Sequence, residues 1–499
     1  MTARASVYQR LFALLSVRRA LVAAVLVVAA AALFARLGTG DEPGGWPLPN
    51  ADLAGTRAVA GGAIDAGSVA RLERRWSFEL SGSPTYSGLF ASTPVADSRT
   101  VYVQDLRSNV FALERSSGTV RWERRYDAPN EGPNGLALDG ETVYGATDSD
   151  AFALDRDTGR ERWRRHLTSA TEQFVDIAPV VHGGLVYLST VGFPPGGRGA
   201  VYALDATSGG VRWKFVTIRD PWRYPGEAGG GGLWYPVSVD EDGRLYGGNS
   251  NPAPWGGTTK RPNGGAFPGP ALWTDSLLVL DGTTGRLLWH DQVTPHDVRD
   301  QDFQATPVLV GDLVLGAGKA GRVIAWDRDT HRRVWETAVG LHRNDRGPLP
   351  ARRVTVCPGL LGGALTPLAS AEGRLFVPVV DLCGWGSATG GQTLDEVDPS
   401  SGRGRLVALA AANGHRLWER RLPSPAFGCA TVSNDVVFTA TFDGTLYALA
   451  AEDGRTLWQE RLRAGINACP AIVGDLLVVG AGVRRPGGGA PEVVAFGVG

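Results

Sequence analysis

The chain is poor in three things. It has one methionine, four cysteines and no excess of charge, with 50 Lys and Arg against 51 Asp and Glu in 499 residues. A balanced charge with no basic tract carrying interleaved aromatics excludes an extended nucleic-acid surface. No CxxC pair occurs, which argues against a thioredoxin-like couple or a zinc ribbon, and no CxxCH is present to attach haem. Neither GxSxG nor HExxH is found, so nothing marks a serine hydrolase or a zincin. His296 beside Asp297 therefore has no nucleophile to serve and reads as a loop-ordering residue.

A long apolar run occurs near the start, Ala20 to Ala35, behind Arg4, Arg10, Arg18 and Arg19. It is shorter than the about 20 residues of a spanning helix, long for a signal-peptide core, and followed by no clean A-x-A site. Two readings stand: an uncleaved anchor in the cell membrane, or a signal whose removal leaves the rest secreted. In both, the arginines stay cytoplasmic and the remainder is exported. Residues 1–38 are thus read as basic stub and membrane segment, 39–69 as linker and entry segment, and 70–499 as the folded domain. In an exported chain an even cysteine count predicts two disulfides. The expected pairs are Cys357–Cys383, tying the residues ahead of one unit to its own insertion, and Cys429–Cys469, joining the first strands of consecutive units.

Glycine (68) and tryptophan (15) are abundant, which suits short strands joined by tight turns. One phrase recurs: "VFALERSSGTVRW", "AFALDRDTGRERW", "VYALDATSGGVRW", "LLVLDGTTGRLLW", "VIAWDRDTHRRVW", "LVALAAANGHRLW" and "LYALAAEDGRTLW". Each is an alternating strand, a polar turn and a short strand closed by Trp, with another hairpin ahead of it. Four strands per unit and a period of roughly 40–50 residues indicate propeller blades. The closing residues are Trp76, Trp122, Trp163, Trp213, Trp289, Trp335, Trp418 and Trp458. The first lacks a preceding hairpin and the last hairpin lacks a closing Trp, so the N-terminal strand should complete the C-terminal blade. The expected fold is an all-β, eight-bladed propeller.

Adjacent strands run antiparallel, so the connectors between units and the loops between second and third strands share one face. "VTPHDVRDQD" and "EAGGGGLW" are such connectors; "GNSNPAPWGG" and "DLCGWGSATG" begin such loops. They converge on one mouth of the ring, where a propeller builds a site.

"WPLPNADLAGTRAVAGGAIDAGSVARLERRW", "NPAPW" and "TPHDVRDQD" together resemble the quinoprotein alcohol dehydrogenase family, eight-bladed propellers carrying pyrroloquinoline quinone (PQQ), over about Gly45 to Gly499. The resemblance implies a PQQ-type dehydrogenase of a small alcohol or aldehyde, with Ca²⁺ or a lanthanide and a separate electron acceptor. It makes Asn251 a ligand of the cofactor-bound cation and Asp300 the catalytic base or a metal ligand. Asp302 falls where lanthanide-using members place a further carboxylate. Trp234 becomes the aromatic surface under the quinone, and Lys319 the basic residue reaching its oxygens. Three positions depart from the pattern: Pro194 stands for the metal-binding glutamate, Ala128 and Pro129 for the vicinal cysteine pair, and Asn134 for an arginine. A non-catalytic propeller, tethered and binding a protein, glycan or wall component through the same mouth, is the other function open to this sequence.

Overall fold

Alternation of apolar and polar residues, broken every few positions by glycine turns, folds into antiparallel meanders. The computed structural model describes residues 44–168, 172–193, 196–219, 229–264, 269–485 and 487–499. The membrane-segment reading, and Pro194, lie outside them; among the described residues no helix is long and apolar enough to cross a membrane. The helical segments among them are three short 3₁₀ turns, at Val69–Arg71, Leu394–Glu396 and Pro399–Ser401.

Among the described residues eight sheets each contain a four-stranded antiparallel meander. In one, strands Val308–Val310, Leu313–Ala317, Arg322–Asp327 and Arg333–Ala338 pair in chain order. The inner strands are largely buried, whereas the fourth is half exposed, which is why its charged residues alternate with its tryptophan. The last sheet is completed from the other end of the chain. Leu72–Glu79 pairs antiparallel with Glu492–Val498, as the unmatched first tryptophan requires. The result is a propeller-like, all-β fold.

The recurrent Trp and Gly are two halves of one contact between neighbouring sheets. Trp76, Trp122, Trp163, Trp213, Trp335 and Trp418 each donate Nε1 to a backbone carbonyl of the next sheet's turn at 2.8–3.0 Å. The indole lies flat over the turn glycine, and a Cβ on Gly118, Gly159, Gly209, Gly285, Gly414 or Gly454 would stand inside the ring. These glycines also have φ between 66° and 71°, which side-chain-bearing residues seldom adopt. Where the repeat reads His331 in place of Gly, the imidazole stacks on Trp289 instead, centroids 4.6 Å apart. Trp458 faces the sheet built from both chain ends, which has no such turn, and packs edge-on against Phe496.

The entry segment is hydrogen-bonded to the first strands of six sheets. Ala96, Leu138, Val239, Leu309, Ser370 and Val432, from the inner strands of six sheets, donate their N–H groups to carbonyls of Trp46, Pro47, Leu53, Ala54, Thr56 and Arg57. Arg57 is fully buried and has no carboxylate partner among the described residues. It donates to Ala430 O at 2.8 Å, Pro49 O at 2.7 Å, Asn50 Oδ1 at 3.0 Å, Thr431 Oγ1 at 2.8 Å and Pro470 O at 2.6 Å. Both expected disulfides, Cys357–Cys383 and Cys429–Cys469, are formed.

Candidate functional site

The residues singled out in the sequence meet on the loop face. Asp300 and Asp302 lie in the connector between Leu287–Gln292 and Val308–Val310, and Trp234 in the connector before Ser238–Val239. Asn251 follows Arg244–Gly248 as a second-to-third-strand loop begins, and Lys319 sits in the short turn after Leu313–Ala317. The glycine run brings two of these loops together: Gly230 pairs with Pro252, and Gly231 N–H donates to Asn251 O at 3.0 Å. Gly230 has φ 109°, and a Cβ there would overlap the Asn251 carbonyl. Only glycine permits that approach.

The acidic pair is not a solvated loop, which is the ordinary reading of such a run. Asp300 is 4% exposed and Asp302 1% exposed. Lys319 Nζ lies between them, 2.8 Å from Asp300 Oδ2 and 2.7 Å from Asp302 Oδ2. Asn251 supplies the remaining donors, Nδ2 to Asp300 Oδ1 at 2.8 Å and backbone N to Asp302 Oδ1 at 2.7 Å. Burial pushes the Asp300 carboxyl above its usual range; Lys319 opposes this, and the neighbouring Asp302 charge adds to it. Burial works against the Lys319 charge, but the two carboxylates outweigh it and hold the ammonium protonated.

Two further acids stand behind this pair. Asp297 is buried, and its carboxylate accepts the N–H groups of Arg299 at 2.7 Å and Gln301 at 2.6 Å, which shapes the loop. Asp297 rises to about 6, mainly through burial. Asp275 is fully buried with neither oxygen hydrogen-bonded; burial, then Asp297, Asp302 and Asp300, push it well above the carboxylate range. His296 orders the loop, its Nε2 2.6 Å from Asn263 O.

These loops enclose a cavity of 560 Å³ in which Trp234, Asn251, Asp300, Asp302 and Lys319 all take part. Trp234 is half-buried, its Nε1 has no protein partner, and its ring lies 6.1 Å from that of Phe174. Phe174, Phe193, Phe427 and Phe442 make much of the remaining wall. A second depression of 500 Å³, lined by His296, Arg299, Arg322 and Glu336, borders the same connector but lacks the acidic pair. Ala128, Pro129 and Asn134 do not line the central cavity; Asn134 is buried and donates its amide to Asp105 O at 2.8 Å. Glu131, Gly132 and Pro133 line it instead.

Comparison with known proteins matches two family models to the chain. One, described as outer membrane protein assembly factor BamB, covers residues 62–223 and 361–495. The other, described as the β-propeller domain of glucose/ethanol/alcohol dehydrogenase, covers 178–318, which holds every site residue named in the sequence except Lys319. The chain belongs to the quinoprotein alcohol dehydrogenase-like family. Among curated members, it is 29% identical over 295 residues to quinohemoprotein alcohol dehydrogenase ADH IIB of Pseudomonas putida, covering 52% of this chain and 41% of that one. It is 25% identical over 490 residues to the lanthanide-dependent methanol dehydrogenase of Methylacidiphilum fumariolicum, covering 81% and 78%. Thus the match to the Pseudomonas enzyme spans less than half of that enzyme's length. The quinohemoprotein alcohol dehydrogenase of Comamonas testosteroni superposes with a TM-score of 0.79 at 24% identity, over 91% of this chain and 81% of that one, which establishes the shared fold.

The site's residues fit the groups this family implies. The aromatic face of Trp234 in the cavity wall suits a planar quinone. Four buried or nearly buried carboxylates, Asp275, Asp297, Asp300 and Asp302, face Lys319 and Arg299, so the cluster has more acid than base. Arg299 gives its guanidinium to the carbonyls of Asn344 and Gly347. Two carboxylates and an amide oxygen form the donor set of a hard cation. Among the described residues no three His, Cys, Asp or Glu side chains stand as a ligand group; the third oxygen here belongs to Asn251.

Proposed function

We propose that the protein is an exported, membrane-anchored PQQ-type dehydrogenase of a small alcohol or aldehyde, its eight sheets forming the blades of a ring closed through Trp76. The observation that supports this most is Asp300, buried in the cavity wall between Asn251 and Lys319 and sharing that cavity with the face of Trp234.

When bound, PQQ supplies the two-electron acceptor for the hydride of the alcohol carbon. Trp234 would carry its ring, Lys319 would face its oxygens, and Asn251, Asp300 and Asp302 would hold a Ca²⁺ or lanthanide ion. Asp300 takes the hydroxyl proton: its carboxylate stands in the cavity wall in the position of a general base. Lys319 holds that carboxylate in place through one hydrogen bond and Asn251 through another. The apolar remainder of the cavity excludes water from the reacting atoms. Electrons leave to a separate acceptor, since the sequence has no haem-attachment motif.

Incubated with PQQ and Ca²⁺ or La³⁺, the purified protein should reduce an artificial electron-acceptor dye in the presence of short primary alcohols, and not when PQQ is omitted. The non-catalytic propeller is favoured by one observation, the assembly-factor description matched over 62–223 and 361–495. No dye reduction with any alcohol or ion, from protein that binds PQQ, decides for that second reading.

A further inference from the structure

Two acids outside the Lys319 cluster line the same cavity. Asp176, in the connector between Glu161–His166 and Val180–His182, is 1% exposed, and no side chain donates a hydrogen bond to either carboxylate oxygen. Burial raises it well above the carboxylate range and the nearby Glu131 charge adds to this; the backbone N–H groups of Glu131 and Gly132 offset part. Glu131 is exposed and lines the cavity as well. A buried carboxyl with no basic side chain beside it is stable only when neutralised, by a proton or by a cation that enters with the ligand.

Its surroundings select the kind of cation. Phe174, two residues away in the chain, stacks on Phe193 with centroids 5.2 Å apart and approaches Trp234 at 6.1 Å. All three rings line the cavity. Aromatic faces attract organic ammonium groups, whereas a small hard metal ion requires several oxygens in their place. Among the described residues the charged lining is Glu131, Asp176, Asp300 and Asp302 against Lys319, and Lys319 is already paired twice. An anionic substrate meets repulsion here and a cationic one meets an unused counter-charge.

We infer that the substrate of this site carries a protonated or quaternary amine, held by Asp176 and Glu131 against the rings of Phe174 and Phe193. This rests on the central cavity being the reaction site, but its test needs no cofactor, so the two readings stand or fall separately.

The test is calorimetric titration of the full chain in detergent, without quinone, with n-hexylammonium, n-hexanol and hexanoate. Hexylammonium is expected to bind at least about tenfold more tightly than hexanol, the worth of one modest charge pair, and hexanoate not to bind. Asp176→Asn should abolish that preference. Glu131→Gln, at an exposed position, should reduce the preference severalfold; it decides the matter together with the wild-type probes should Asp176→Asn fail to fold. Equal affinity for hexylammonium and hexanol, hexanoate binding as tightly as hexylammonium, or a preference unchanged in the folded variants overturns the inference.

Discussion

Asp300→Asn is expected to lower alcohol-dependent turnover by about 10²–10⁴-fold, the range a positioned general base contributes. The variant should fold. Asp300 has φ 65°, a conformation that Asn tolerates as readily as Asp. The amide oxygen still accepts from one neighbour, so the loop keeps part of its Asn251 and Lys319 contacts. What is lost is the proton acceptor and half of the charge pair that holds Lys319. Steady-state kinetics with the reconstituted protein measures this: kcat and kcat/KM should fall together, the pattern of an interaction that matters in the transition state. PQQ binding without added ion should change little. A turnover within about threefold of wild type would remove Asp300 from the chemistry, being far below any general-base contribution.

The largest stability effect is expected at Arg57, far from that chemistry in sequence. Its guanidinium serves five acceptors on three segments of chain, three of them backbone carbonyls. Hydrogen bonds to a charged donor are worth about 1.5–3 kcal/mol each, and carbonyls left unpaired in a buried site add their desolvation cost. These terms are not additive, but Arg57→Met should destabilise by at least about 4 kcal/mol, among the larger single-site effects. Arg57→Lys should recover little, because an ammonium with three donors cannot span a fork with five. Urea unfolding checks this through the midpoint at unchanged slope. A midpoint close to wild type would mean that the entry segment does not clamp the inner strands.

Much of the architecture is legible before folding because its repeat is local. Each turn glycine and closing tryptophan stand a fixed few residues apart, and their contact with the next sheet follows from the period. The stacking of His331 on Trp289, where the repeat loses its glycine, appears only in the structure. Asn251, Asp300, Asp302, Trp234 and Lys319 could be named because their short motifs survive around them, and the structure gathers all five on one cavity. Asp176, Glu131 and Asp275 carry no such signal. A single acid in a connector reads as a turn residue, and only ring closure brings Asp176 into the cavity that holds Asp300. Arg57 likewise sits in an unremarkable "GTRAV" until folding brings Ala430, Thr431 and Pro470 to its guanidinium. Asp297 shows the limit of reading a charge run as solvated: its carboxylate is spent on two backbone N–H groups inside the loop.

Whether the protein holds PQQ together with a hard cation tests the central claim most directly. Titrating PQQ in the presence of Ca²⁺ or La³⁺, with tryptophan fluorescence and the melting midpoint as readouts, should show saturable binding to one site per chain. At a ligand concentration a hundredfold above the dissociation constant, mass action stabilises the fold by about 2.7 kcal/mol. Asp300→Ala should lose the ion-dependent part of that gain, and Trp234→Ala the fluorescence change. Wild-type and Asp300→Ala proteins that melt identically with and without ion and PQQ would contradict the account and leave the acidic cluster a structural feature of a non-catalytic ring.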